Sequence, residues 1–360
     1  MNMNILNLKK CIKQGVENKR FGNVAVAIKR DDELIETFGG DTDRFTYFDV
    51  ASCGKVLVTA PLIFKALGER KLTLDAKIGK FFDKSFFSED CAIKQSITIQ
   101  QLLTHTSGIV RNYIPKEIGA KGRDAVIKHI LAEPLAFSPS TEVRYSCNGT
   151  ILLGYIAELI YGLTLDKLFE KFIKTPLSLE RSRFNIAIDE PNAAECFERK
   201  DVGNLRVDDC NVYNMGGIAG SGASFWCIAD IEKFADGIMS KSDAVFASEI
   251  YRLSERDYTS GCIRNEYFDD RGLGWQIVNE SNINVGNLFP ADGTTFGHTG
   301  WTGVSLFFNR RMNMYVIILT NATRYNNIRN NFQGFDFMDT YRVRRDLHNA
   351  ILSDSKAWKL

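Results

Sequence analysis

The chain has 360 residues, 44% hydrophobic and 25% charged, an ordinary globular composition with ample material for a large core. Its 45 basic and 44 acidic residues leave a formal net charge of +1, so no long-range field favours nucleic acid or an acidic membrane as a partner. No Pro/Ser/Gly-rich tract or charge block marks a linker, which predicts interleaved lobes of one body.

The stretch Met1 to Lys10 lacks the apolar core and the small-residue cleavage site of a signal peptide. A cytoplasmic location is the expectation if this is the natural start. No segment reads as long and apolar enough to span a bilayer. The eight cysteines (Cys11, Cys53, Cys91, Cys147, Cys196, Cys210, Cys227 and Cys262) form no CxxC pair, and the four histidines (His105, His129, His298 and His348) show no zinc spacing. Reduced thiols, mostly buried as small hydrophobes, are expected, with neither metal nor other cofactor.

Residues 24–29 are β-rich, the polar turn Arg30-Asp31-Asp32-Glu33 follows, and 34–38 complete a hairpin that ends at Gly39-Gly40. Val304 to Phe308, the turn Asn309-Arg310-Arg311 and Met314 to Thr320 repeat that pattern near the other end. The last run is almost wholly apolar, which predicts a strand buried on both faces. One antiparallel sheet drawn from both chain ends is the economical arrangement. Between them the pattern turns helical. From Val56 to Leu67 apolar residues keep three- and four-residue spacing, and Pro61 must kink that helix or mark its first turn. Ile151 to Leu159, Ile228 to Met239 and Thr340 to Leu352 are further helix candidates.

Ser52-Cys53-Gly54-Lys55 has the form S-x-x-K. On a helix, positions i and i+3 share a face, so the Lys55 nitrogen can sit beside the Ser52 hydroxyl. A serine at a helix N-terminus also lies near unpaired backbone N–H groups that favour a developing oxyanion. For Lys55 to serve as a base near neutrality its pKa must fall by about 3 units, a cost of roughly 4 kcal/mol. Spacing alone is weak support, because Ser353-Asp354-Ser355-Lys356 repeats it in a polar tail.

The neighbouring residues decide. Phe48 to Lys55 resembles the nucleophile segment of the serine β-lactamase-like superfamily, which includes class C β-lactamases, D,D-peptidases and related esterases. Ile99 to Ile109 is similar to its L-L-T-H-T-S-G loop, and Tyr145-Ser146-Cys147-Asn148-Gly149 to its Y-S-N-x-G segment. Gly297-His298-Thr299-Gly300-Trp301-Thr302-Gly303 resembles its third motif. The four motifs stand in family order across about residues 20 to 350.

The resemblance implies an α+β fold. Residues 1–50 and 215–360 would form a discontinuous α/β lobe, residues 51–214 a mainly helical lobe, and the active cleft would lie between them. It implies an acyl-enzyme on Ser52, proton transfer by Lys55 and Tyr145, and an oxyanion hole from the backbone N–H groups of Ser52 and Trp301. His298, Thr299 and Gly300 would line the substrate site. His105 would brace its loop, and Met215 to Gly222 would flank the cleft.

Two departures bear on substrate. Cys147 stands where the family carries Asn or Asp, and a thiol replaces a carboxamide poorly; Asn148 could take over only through a loop shift. His298 replaces the usual lysine, so a fixed charge for a substrate carboxylate is absent. An esterase acting on small esters is the leading expectation. The alternatives are a D-amino-acid amidase or peptidase, a weak β-lactamase, and a catalytically idle scaffold.

Overall fold

Alternation along a few strands accounts for the architecture. In Val24–Arg30 (β1), Val24, Val26 and Ile28 enter one apolar cluster while Ala25 and Ala27 enter another. The same division separates Val316 and Ile318 from Tyr315, Ile317 and Leu319. Successive side chains of a strand point to opposite faces, so two distinct cores mean a sheet covered on both sides. The computed structural model describes residues 3–87, 91–109, 113–196, 207–264, 270–279, 284–329, 337–356 and 358.

The sheet has seven strands, every neighbouring pair antiparallel. After β1 they are Glu33–Gly39 (β2), Asp270–Arg271 (β3), Gln276–Val278 (β4), Thr295–Thr299 (β5), Ser305–Asn309 (β6) and Met314–Thr320 (β7). Their spatial order is β2-β1-β7-β6-β5-β4-β3, so both chain ends build one sheet, as the two hairpin patterns imply. Val26 faces Ile318 across the β1–β7 ladder, and Phe307 faces Val316 across β6–β7. Strands β3, β4 and β5 were not anticipated, since two- to five-residue strands among glycines carry little periodic signal.

Leu6–Glu17 (α1) and Phe337–Ser355 (α5) cover one face, where Leu8, Ile12, Val343, Leu347 and Ile351 meet the even-numbered residues of β1. Ala60–Gly68 (α2), Cys147–Tyr161 (α3) and Ile228–Met239 (α4) contribute to the larger core on the other face. The expected helix after Ser52 is composite. A 3-10 turn at Ala51–Cys53 gives way to a π-helical turn at Lys55–Thr59 and then to α2. Pro61 sits in the first turn of α2, where its missing N–H costs least.

Contrary to the sequence expectation, Ala51–Gly68 does reach the length and apolarity of a membrane span; however, 78% of it is buried inside the protein and it carries Ser52 and Lys55. Of the seven cysteines with described surroundings, Cys53, Cys147, Cys196 and Cys227 are buried. Among the described residues no three His, Cys, Asp or Glu side chains cluster as metal ligands.

Candidate active site

Phe48–Asp49 pairs with Phe225–Trp226 and delivers the chain to a tight turn at Ser52. The buried Asp49 carboxylate accepts the Ala51 N–H at 2.8 Å and the Asp208 N–H at 2.9 Å. Ala51 itself is held at a φ of 45°, a conformation that L residues adopt at a cost of about 1 kcal/mol or more. The Gly220-Ser221-Gly222 segment lies directly against this turn. A Cβ built on Gly222 would fall 2.2 Å from the Ala51 carbonyl oxygen, so only glycine permits the approach. The Ala223 N–H donates to that same oxygen at 3.1 Å.

Lys55 is one turn on, fully buried, and its Nζ donates to Ser52 Oγ at 3.0 Å. Its other acceptors are the Ser221 carbonyl and Cys147 Sγ, the latter at 3.5 Å. The Tyr145 hydroxyl donates to Ser52 Oγ at 2.6 Å and lies 3.9 Å from Cys147 Sγ. Tyr145 precedes Ser146, the N-cap of α3, whose hydroxyl accepts the Gly149 N–H at 3.3 Å. Residues remote in sequence thus converge on one oxygen.

The downward shift that Lys55 would need to serve as a base near neutrality is not what its surroundings favour. Burial pushes it down, but the neighbouring Cys147 and Tyr145 outweigh that and hold it above the ordinary lysine value. The Tyr145 phenol is also raised, first by burial and then by Cys147, with Lys55 opposing. Lys55 is therefore an ammonium at rest, pointing three donors at fixed acceptors.

Asn148 does not take over from Cys147. Its carboxamide is buried with no hydrogen-bond partner, whereas the Cys147 thiol touches Lys55. His298 lies on β5, with its ring 6.2 Å from that of Tyr145, and its Nδ1 bonds the Thr299 carbonyl at 2.7 Å. Burial, then Arg271 and Lys55, push His298 well below the usual imidazole range, so it is neutral. Thr299 and Trp301 are partly exposed and Gly300 is buried. Thr302 Oγ1 donates to the Asp49 carbonyl at 2.7 Å, and Cys53 Sγ to the His298 carbonyl at 3.5 Å, locking the 297–303 segment onto the Ser52 turn. His105 is structural in its contacts: its Nδ1 accepts the Ser146 N–H at 3.3 Å, and its ring lies 4.7 Å from that of Tyr145. Ser353 bonds the Asn349 carbonyl within α5, away from the cluster.

Two contributors escaped the sequence. The Ser221 carbonyl is a backbone group, to which side-chain identity gives no clue. Arg271 is buried with its guanidinium 5.7 Å from the Tyr145 ring, and no motif in the sequence singles it out.

The model of the family described as Beta-lactamase matches residues 8–331. The chain belongs to that family. Among curated proteins it is 26% identical over 306 residues to an Escherichia coli (strain K12) protein named "Putative D-alanyl-D-alanine carboxypeptidase", covering 77% of this chain and 69% of the relative. Among solved structures it resembles an octameric penicillin-binding protein homologue from Pyrococcus abyssi, with TM-score 0.68, 21% identity and 89% and 74% of the two chains covered. It also resembles EstCE1, described as a hydrolase with promiscuous acyltransferase activity, with TM-score 0.72, 16% identity and 95% and 97% covered. The beta-lactamase-like fold foreseen from the motifs is thus the fold observed.

Proposed function

We propose that this family member is a serine hydrolase that works through an acyl-enzyme on Ser52 and prefers small esters. The observation that carries the reading is the convergence of Lys55 Nζ and the Tyr145 hydroxyl on Ser52 Oγ, at 3.0 and 2.6 Å. Both distances lie within hydrogen-bond reach for proton transfer.

With Lys55 an ammonium and Tyr145 a phenol, neither can accept the serine proton. The competent form is the pair less one proton, written as phenolate with ammonium or phenol with amine. Because both groups are held high, its share grows as pH rises. In that form Ser52 Oγ attacks the ester carbonyl while its proton passes to the pair. The leaving alcohol then takes the proton back. Water repeats the sequence on the acyl-enzyme, and the free acid departs. The backbone N–H groups of Ser52 and Trp301 serve the oxyanion; one such donor is worth about 10²–10³ in rate.

Ester preference rests on Cys147. A carboxamide there would offer an amide substrate a paired donor and acceptor, which a thiol lacks. The neutral His298 likewise gives no fixed charge to a substrate carboxylate. The name of the E. coli relative favours a second reading, a D-amino-acid peptidase that penicillin would acylate. The intact cluster speaks against an idle scaffold.

Intact-mass spectrometry of wild type and Ser52→Ala, after p-nitrophenyl acetate and separately after a penicillin, tests these readings. Rapid turnover with a Ser52-dependent acetyl adduct is the expected result. A long-lived penicilloyl adduct would favour the peptidase, and undiminished turnover by Ser52→Ala would sink the nucleophile assignment.

A further inference from the structure

Helix α5 sends one arginine beneath the sheet to the catalytic region. Arg344 is fully buried at 2% exposure. Its Nη1 donates to the Gly300 carbonyl at 3.0 Å, while Nε and Nη2 both donate to Asn284 Oδ1 at 3.2 and 2.9 Å. The Tyr341 ring lies 4.8 Å from the guanidinium carbon. Every hydrogen-bond acceptor of this cation among the described residues is thus a neutral oxygen. Burial lowers its pKa to about 10, so the group remains charged. A buried cation without a carboxylate costs stability, and such a cost calls for a compensating use.

The bonded carbonyl suggests that use. Gly300 C=O and Trp301 N–H are opposite ends of one planar peptide, so fixing the oxygen in one direction aims the N–H in the other. The Gly303 N–H donates to the same oxygen at 3.1 Å, completing the clamp. The far side of Gly300 is pressed against the nucleophile turn, since a Cβ there would come within 2.6 Å of the Val50 carbonyl oxygen. A charge-assisted bond to a carbonyl also polarises the peptide and makes its N–H a stronger donor.

We infer that Arg344 is a positioning residue of the oxyanion hole, aiming and polarising the Trp301 N–H through the Gly300 carbonyl; this rests on the hydrolase reading of Ser52. It touches no substrate. Its contribution therefore belongs to the transition state, where negative charge collects on the carbonyl oxygen, and not to ground-state binding.

The test compares Arg344→Met and Arg344→Lys with wild type in p-nitrophenyl acetate kinetics and in inhibition by phenylboronic acid, which adds to a serine oxygen as a tetrahedral anion. For a folded Arg344→Met, kcat should fall about 10- to 100-fold with KM held, and boronate affinity should weaken by a similar factor. Arg344→Lys, which keeps the charge but loses the fork, should lie between. Unchanged kcat and boronate affinity, or a change in KM alone, would overturn the inference. If Arg344→Met does not fold, Asn284→Ala frees two of the three guanidinium bonds and is read by the same kcat and boronate criteria. A wild type that neither hydrolyses the ester nor binds boronate overturns the hydrolase reading and this inference together. An active wild type with an indifferent variant overturns the inference alone.

Discussion

Gly222→Ala perturbs Ser52, the proposed nucleophile, without touching the side chain of Lys55 or Tyr145. The new methyl would sit 2.2 Å from the Ala51 carbonyl oxygen, 2.8 Å from its carbon and 3.2 Å from Ser52 Cα, all backbone atoms that cannot rotate away. The residue also holds a φ of 128°, which an alanine adopts only under strain. Ordinary contact begins at 3.4 Å, so the two segments must part by about 1.2 Å, a displacement of the size that costs about 100-fold in rate. The Ala223–Ala51 hydrogen bond, now 3.1 Å, would be stretched beyond bonding range. Strain and the lost bond together amount to about 1.5–4.5 kcal/mol of stability. The assay is kcat for p-nitrophenyl acetate beside the thermal midpoint, with circular dichroism to confirm folding. A folded Gly222→Ala protein with unchanged kcat would refute the claim that this glycine sets the position of Ser52.

Cys147→Asn should raise the ratio of amide to ester kcat/KM by about tenfold, roughly one hydrogen bond gained in the transition state; an unmoved ratio would clear Cys147 of setting specificity. His348 is buried near Phe289 and Phe307, and burial pushes its pKa down to about 4. Below the unfolded value of about 6.5 the unfolded chain binds a proton that the folded protein refuses, so this histidine withdraws stability as pH falls from about 6.5 to about 4, by about 3 kcal/mol. His105 and His298 act in the same direction. Urea midpoints at neutral and acid pH should therefore converge in His348→Leu relative to wild type; an identical acid loss in both proteins would remove His348 from the explanation.

The sequence by itself determined what short-range pattern can encode. The apolar run Met314 to Thr320 demanded a strand covered on both faces, and S-x-x-K placed Lys55 one turn from Ser52 because i and i+3 share a helical face. The resemblance of the segment Tyr145 to Gly149 grouped Tyr145 with Ser52 and Lys55, and the structure brings its hydroxyl to 2.6 Å from Ser52 Oγ. Tertiary structure alone decided the rest. The charge on Lys55 depends on which groups surround it, and Cys147 and Tyr145, 92 and 90 residues further along the chain, together outweigh the downward shift that burial alone would produce. Arg344 reaches Gly300 across 44 residues, and nothing in a helical periodicity states which carbonyl a buried guanidinium will meet. Periodicity reports which side of an element is covered; it does not report by what. Electrostatics and hydrogen bonding depend on that missing identity, so the grouping of Ser52, Lys55 and Tyr145 was legible while their protonation and the support beneath the Gly300–Trp301 peptide were not.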